Sequence, residues 1–153
     1  MASGKFTACA LLAGIAICLP GASFAQATPI GYVKTATGKS SVTTAGQRVK
    51  AGPGTPIQMG SLLKTEANSS LGVTFRDNTV MSFGPDTEVT VDEYLYEPAQ
   101  GKLGLVASLS KGTMDYLSGV IAHLKPDSVS VKTPTGIIGV RGTQFAAKVQ
   151  VPQ

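Results

Sequence analysis

Cysteine is scarce in this sequence and confined to its start. The 153-residue chain has 2 cysteines, Cys9 and Cys18, both within the first 25 residues. If that segment is removed, no disulfide, thiolate nucleophile or cysteine metal ligand remains. Histidine is represented once, by His123. One histidine without cysteine excludes the common zinc patterns. It also makes His123 the sole imidazole for a Ser-His-Asp site, and no Gly-x-Ser-x-Gly elbow accompanies it. Tryptophan is absent, aromatics are 6% of residues, and no run of lysine or arginine occurs. Those shortages argue against nucleic acid as a partner. Beyond the N-terminus no apolar run is long enough to cross a bilayer as a helix.

The N-terminus has the three parts of a secretory signal. Lys5 supplies the charge, Ala8 to Leu19 the compact apolar run, and Ser23-Phe24-Ala25 the small-x-small cleavage site after Pro20-Gly21. Residues 1–25 are therefore expected to be a signal peptide and 26–153 a single β domain. Cys18 follows Ile17 where a lipid-attachment site calls for a small residue, so lipidation is not expected. The expected location is the periplasm, or outside the cell. Loss of Lys5 leaves 12 lysines and arginines against 9 aspartates and glutamates.

Past Pro29 the chain alternates with period two and is punctuated by glycine and proline every eight to twelve residues, as in an all-β sandwich, barrel or β-solenoid, and an antiparallel sandwich or a β-solenoid-like domain is expected. Strands are expected at Ile30–Lys34, Ser41–Thr44 and Ser61–Thr65, with a turn-rich region from Thr37 to Pro56. A hairpin is expected with Leu71, Val73 and Phe75 going out, Asp77-Asn78 turning, and Thr79–Phe83 returning. Gly84-Pro85-Asp86 turns again. Glu88–Tyr96 should place Val89, Val91 and Leu95 on one face. Lys102–Ser110 and Thr113–Leu117 read as two strands separated by a turn at Lys111-Gly112. Ser118–Pro126 fits a helical turn as well as a strand. Ser128–Thr133 reads as a further strand. Gln144–Val151 is long and apolar, so it is expected to be paired inside a sheet.

The chemistry-bearing groups do not assemble into a known pattern. Asp92 and Glu93 are adjacent on a strand and point to opposite faces. Asp86 and Glu88 share a parity, but Asp86 belongs to a turn. Asp77-Asn78-Thr79 is a fragment of a calcium loop without the other ligands. Ala36 to Ser41 (ATGKSS) lacks the first glycine of a P-loop. No cofactor or metal is expected, and no catalytic residue is assigned.

The stretch from Thr133 to Phe145 (TPTGIIGVRGTQF) is the most distinctive. Pro134 should end a strand, Gly136 permit a turn, and Ile137 and Ile138 pack. Gly139 and Gly142 flank Val140-Arg141, which suggests a bulge or close backbone approach. Arg141 is expected to lock this bend through its planar fork, or to meet an anionic partner group.

Val129 to Val149 (VSVKTPTGIIGVRGTQFAAKV) resembles the C-terminal signature of FecR-type domains, with its Thr-Pro and Arg-Gly-Thr elements. Gly60 to Val91 resembles the preceding part of the same domain, with Asn78 in place of the family's hairpin glycine. The resemblance is good from Ile57 to Val149 and looser from Gly31 to Pro56. It implies that Thr133, Pro134, Gly136, Arg141, Gly142 and Thr143 are family-motif positions. The family is best known for membrane-spanning anti-sigma regulators that relay iron-siderophore signals in the periplasm. This sequence shows neither an internal span nor an anti-sigma segment, so a stand-alone exported domain is expected. The leading expectation is a non-enzymatic envelope module with a protein partner, reached through Arg141 or by strand addition. A glycan or peptidoglycan binder is the second reading, and it requires exposed aromatics such as Tyr94 and Tyr96. A hydrolase is the third, and it requires His123 in a cleft beside a serine and a carboxylate.

Overall fold

The computed structural model describes residues 27–151, so the expected signal segment lies outside the described residues. In chain order the elements are β1 (Gly31–Thr37), β2 (Ser40–Thr44), β3 (Gln47–Lys50), β4 (Pro56–Ile57), β5 (Leu62–Thr65), β6 (Ser70–Phe75), β7 (Val80–Phe83), β8 (Glu88–Glu97), β9 (Lys102–Leu117), α1 (Val120–Leu124), β10 (Val129–Thr133), β11 (Gly136–Gly139) and β12 (Gln144–Val149). The protein is all-β, as its alternation requires. Short strand β3 lies inside the region expected to be turn-rich, and β4 begins at its end.

The strands form two sheets that share β9. The first runs β4-β1-β6-β7-β9-β12 and the second β3-β2-β5-β8-β9-β10-β11. Pairing is antiparallel except between β9 and β10, which run parallel. Such a pair needs a crossover, and the segment from Gly119 to Ser128, with α1, supplies it. At the far side the connection after β3 stitches the sheets together. Ala51 donates to the Ser40 carbonyl, while Val33 donates to Thr55 and Ile30 to Ile57. The result is a curled half-barrel, not a stack of solenoid coils.

The turn expected at Lys111-Gly112 does not separate two strands. β9 continues through it for 16 residues, bending where Gly112 takes a φ of +93°. Before the bend it pairs with β8, and after it with β7 and β12. Thr87 packs so closely that a Cβ on Gly112 would lie 2.4 Å from the Thr87 Cα. Only glycine fits both the angle and the space.

The core lies between the two sheets. Val33, Val73, Phe75, Met81 and Phe83 from the first meet Val42, Leu63, Val89, Val91, Leu105 and Leu109 from the second, all buried. Each such side chain contributes about 1.5–3 kcal/mol. In β8 the expected face is wrong beyond Val91. The register slips between Val91 and Glu93, so the alternation inverts at Asp92. Tyr94 thereby turns inward and Leu95 outward. β12 also differs from expectation. It pairs with β9 alone and is an edge strand, with Phe145, Ala147 and Val149 half-buried on one face. Its free backbone edge adjoins the motif stretch.

Candidate functional site

The hairpin between β6 and β7 places the first part of the site. Its loop is Arg76-Asp77-Asn78, one residue longer than the expected turn, closed by the Phe75 amide on the Thr79 carbonyl and the Asn78 amide on the Phe75 carbonyl. Asn78 sits at φ +65°, the left-handed position of a three-residue hairpin loop. This geometry turns the Asp77 side chain inward, where it is fully buried. Its Oδ1 accepts from the Thr79 amide at 3.3 Å and the Tyr94 hydroxyl at 3.1 Å. Its Oδ2 accepts from the Thr79 hydroxyl at 2.7 Å and the Ile121 amide at 3.3 Å. The Asp77 carbonyl accepts from Val120 at 2.7 Å. Two of these bonds go to the start of α1, which has no side-chain cap of its own. Asp77 therefore sets the position of α1. The sequence marks Asp77 as a turn residue and carries no signal for this role.

The helix and the motif stretch enclose a cleft of about 460 Å³ lined by Ser118, Ala122, His123, Asp127, Arg141 and Thr143, with Pro126 and Gly142 completing the wall. Arg141-Gly142-Thr143 crosses from β11 of one sheet to β12 of the other. It is tied down at each end. Val140 is buried and donates to the Val129 carbonyl, while the Ser118 amide donates to Thr143 at 2.8 Å. The Ser118 hydroxyl donates to the Gly142 carbonyl at 2.6 Å. The Arg141 guanidinium meets Asp127 through Nη2 at 3.0 Å and Nε at 3.3 Å. That pair stands in solvent, its side chains 81% and 77% exposed. It contributes at most about 1 kcal/mol, so Arg141 is a weak lock for the bend.

The other motif positions lie apart from the cleft. Thr133 and Gly136 are cross-strand partners at the tip of the β10–β11 hairpin, with Pro134 in its two-residue loop. The Thr133 hydroxyl donates to the Gly136 carbonyl at 2.9 Å. The expected turn at Gly136 is thus the start of a strand. Gly139 and Gly142 are not points of close approach, since a Cβ on either would meet nothing within 4 Å. Gly142 is needed instead for its φ of +132°. Ile138 packs on the core, but Ile137 is 70% exposed.

His123 does share this cleft with a serine and a carboxylate, but their bonds go elsewhere. Its Nδ1 lies 2.6 Å from the Gly119 carbonyl, the Ser118 hydroxyl is spent on Gly142, and Asp127 holds Arg141. The tyrosines that the glycan reading requires on the surface are not a platform. Tyr94 is 8% exposed and stacks on Phe75 with centroids 5.5 Å apart. Tyr96 is half-buried against the core. Among the described residues no group of three or more His, Asp or Glu side chains is arranged to hold a metal ion. No helix among them is long and apolar enough to cross a membrane.

Fold and cleft together define an all-β, mostly antiparallel domain whose sheets are bridged by an Arg-Gly-Thr segment. The chain matches the family model for FecR protein over residues 61–153 and belongs to that family. Comparison with curated proteins and with solved structures finds no match. FecR domains are periplasm-associated modules of signalling and protein interaction. The matched span begins just before β5. β1 to β4, which complete both sheets, lie outside it.

Proposed function

We propose that this protein is an exported, non-enzymatic interaction module of the cell envelope, and that an envelope protein docks at the Arg141 cleft. The observation that carries this reading is the convergence of the Arg-Gly-Thr motif on an open cleft, beside the unpaired edge of β12. Arg141 is exposed, and Asp127 holds it weakly. A partner carboxylate can replace Asp127 at little cost, and the planar fork favours a bidentate bond to it. A partner segment can also add to the free edge of β12, where backbone bonds supply affinity. The cleft groups that a hydrolase would use are each bonded to something else, which supports a binding role.

The test is capture from an envelope extract with the tagged protein and with Arg141→Ala. The variant is expected to keep its circular dichroism, because it loses at most an exposed ion pair. A protein retained by the wild type and lost from the folded variant supports the reading. Equal capture by both removes Arg141 from the interface. An unfolded variant makes the segment a structural corner instead. Mass measurement of the periplasmic protein should find a chain that begins at Gln26.

A further inference from the structure

The positive excess of this chain is carried on one face. Of the 12 basic and 9 acidic residues between positions 27 and 151, six basic and three acidic belong to the outer face of the second sheet and its rim. These are Lys39, Arg48, Lys50, Lys64, Lys111 and Lys132, with Glu66, Glu88 and Asp92. The remaining six of each sign cancel. Strand register builds the face in rows. One row reads Lys50, Ser41, Lys64, Glu88, Lys111 across β3, β2, β5, β8 and β9. The next reads Arg48, Thr43, Leu62, Thr90, Ser108, Lys132 and ends on β10.

The acids on this face do not neutralise it. Glu88 serves two cations, at 2.7 Å from Lys64 and 3.4 Å from Lys111. The Lys64 hydrogen bond chiefly holds the Glu88 carboxyl below its usual range. Asp92 faces Lys132 at 4.0 Å, and Glu66 faces Arg48 at 3.7 Å. Lys39 and Lys50 have no ion-pair partner among the described residues. With Arg48 they line a groove of about 470 Å³ at the β3 end of the rows.

We propose that this face binds a linear anionic polysaccharide laid across the strands, anchored in the Lys39–Arg48–Lys50 groove. Lys50, Lys64 and Lys111 sit on alternate strands, so they recur about every 9.5 Å along one line. A rigid line of three cations about 19 Å long, with Glu88 shared between two of them, suits an extended polyanion better than a single phosphate. Between the cations lie half-buried hydroxyl side chains, Thr43 and Thr90, which suit a hydroxyl-rich polymer. No exposed aromatic lies on these rows to anchor a folded protein. Three large exposed apolar residues, Val49 in the groove, Leu95 and Ile137, are spread singly over β3, β8 and β11, too little for a membrane surface. This face is separate from the Arg141 cleft, so either proposal can fail alone.

The test is fluorescence anisotropy with labelled polygalacturonate and the purified periplasmic protein. Binding should be measurable at low ionic strength and weaken steeply with salt. The double variant Arg48→Gln/Lys50→Gln, checked for folding by circular dichroism, should bind at least about tenfold more weakly. Lys34→Gln/Lys125→Gln removes the same charge elsewhere and should cost less than about threefold. Equal losses from both pairs would show that net charge alone attracts the polymer, and would overturn the proposal. So would absence of binding at low salt by a folded protein. So would a face variant that loses phosphatidylglycerol vesicles but keeps polygalacturonate.

Discussion

Asp77 offers the sharpest test of the structure, because four donors converge on one fully buried carboxylate. An amide in its place must turn its NH2 toward one pair of donors. The Thr79 and Tyr94 hydroxyls can rotate and accept, but the Thr79 and Ile121 amides cannot. Asp77→Asn therefore strands at least one buried backbone N–H and should cost about 1–3 kcal/mol. Asp77→Ala strands both amides and leaves two hydroxyls without their acceptor, for about 3–5 kcal/mol. Tyr94→Phe removes one donor and also leaves the Asp77 amide, 2.9 Å from the tyrosine oxygen, without an acceptor. It should cost about 1–3 kcal/mol. Because the two residues share bonds, the double variant should cost less than the sum of the singles by about 0.5–3 kcal/mol.

Urea unfolding at neutral pH, followed by circular dichroism, measures all four variants. An unchanged urea slope would show that the loss belongs to the native state. The Asp77 variants should also disturb the His123 resonances, since Asp77 holds the start of α1, the helix that carries His123. If Asp77→Ala lies within about 0.5 kcal/mol of wild type, the network is not a structural anchor and the reasoning fails.

Two further expectations follow from the bend in β9 and from the buried phenols. Gly112→Ala meets both a φ of +93° and the Thr87 backbone, whereas Gly46→Ala meets a φ of +78° in open space. The first should cost at least about 2 kcal/mol more than the second, which should lose only about 1 kcal/mol of conformational preference. Matched urea midpoints would refute the close approach. Burial first, and then the nearby Asp77 charge, raise Tyr94 above the usual phenol value of 10.0. Burial does the same to Tyr116. The native chain then keeps protons that the unfolded chain releases, so stability is full below about pH 10 and declines as pH rises beyond it. Of the 4 tyrosines, Tyr94 and Tyr116 should ionise only as the fold is lost. Ionisation of Tyr94 or Tyr116 near pH 10 in the native protein would contradict their burial.

What the sequence reveals here follows from what alternation can encode. Val89 and Val91, or Leu103, Leu105, Ala107 and Leu109, announce a strand and its buried face, because side chains two apart must share a side. Alternation cannot announce a bulge. The extra residue at Asp92 leaves the pattern Val-Thr-Val-Asp-Glu-Tyr-Leu-Tyr readable in either parity, and the inversion appears only once β9 fixes the register. Nor can it distinguish a bend from a turn, since Gly112 suits both. Its role is decided by Thr87, 25 positions earlier in the chain. β12 shows the same limit for strand neighbours. Its apolar residues require one buried face, which it has, but say nothing about whether its backbone edge is covered. The cleft was half legible. Arg141-Gly142-Thr143 stands out locally, because glycine and arginine amid apolar strands need a reason. Ser118, Ala122, Pro126 and Asp127 reach it through the crossover that the parallel β9–β10 pair requires. Locally, the segment from Ser118 to Pro126 fitted helix and strand equally well. The site's position thus depends on topology, and the residues that fix it, Gly112 and Asp77, carry none of its chemistry.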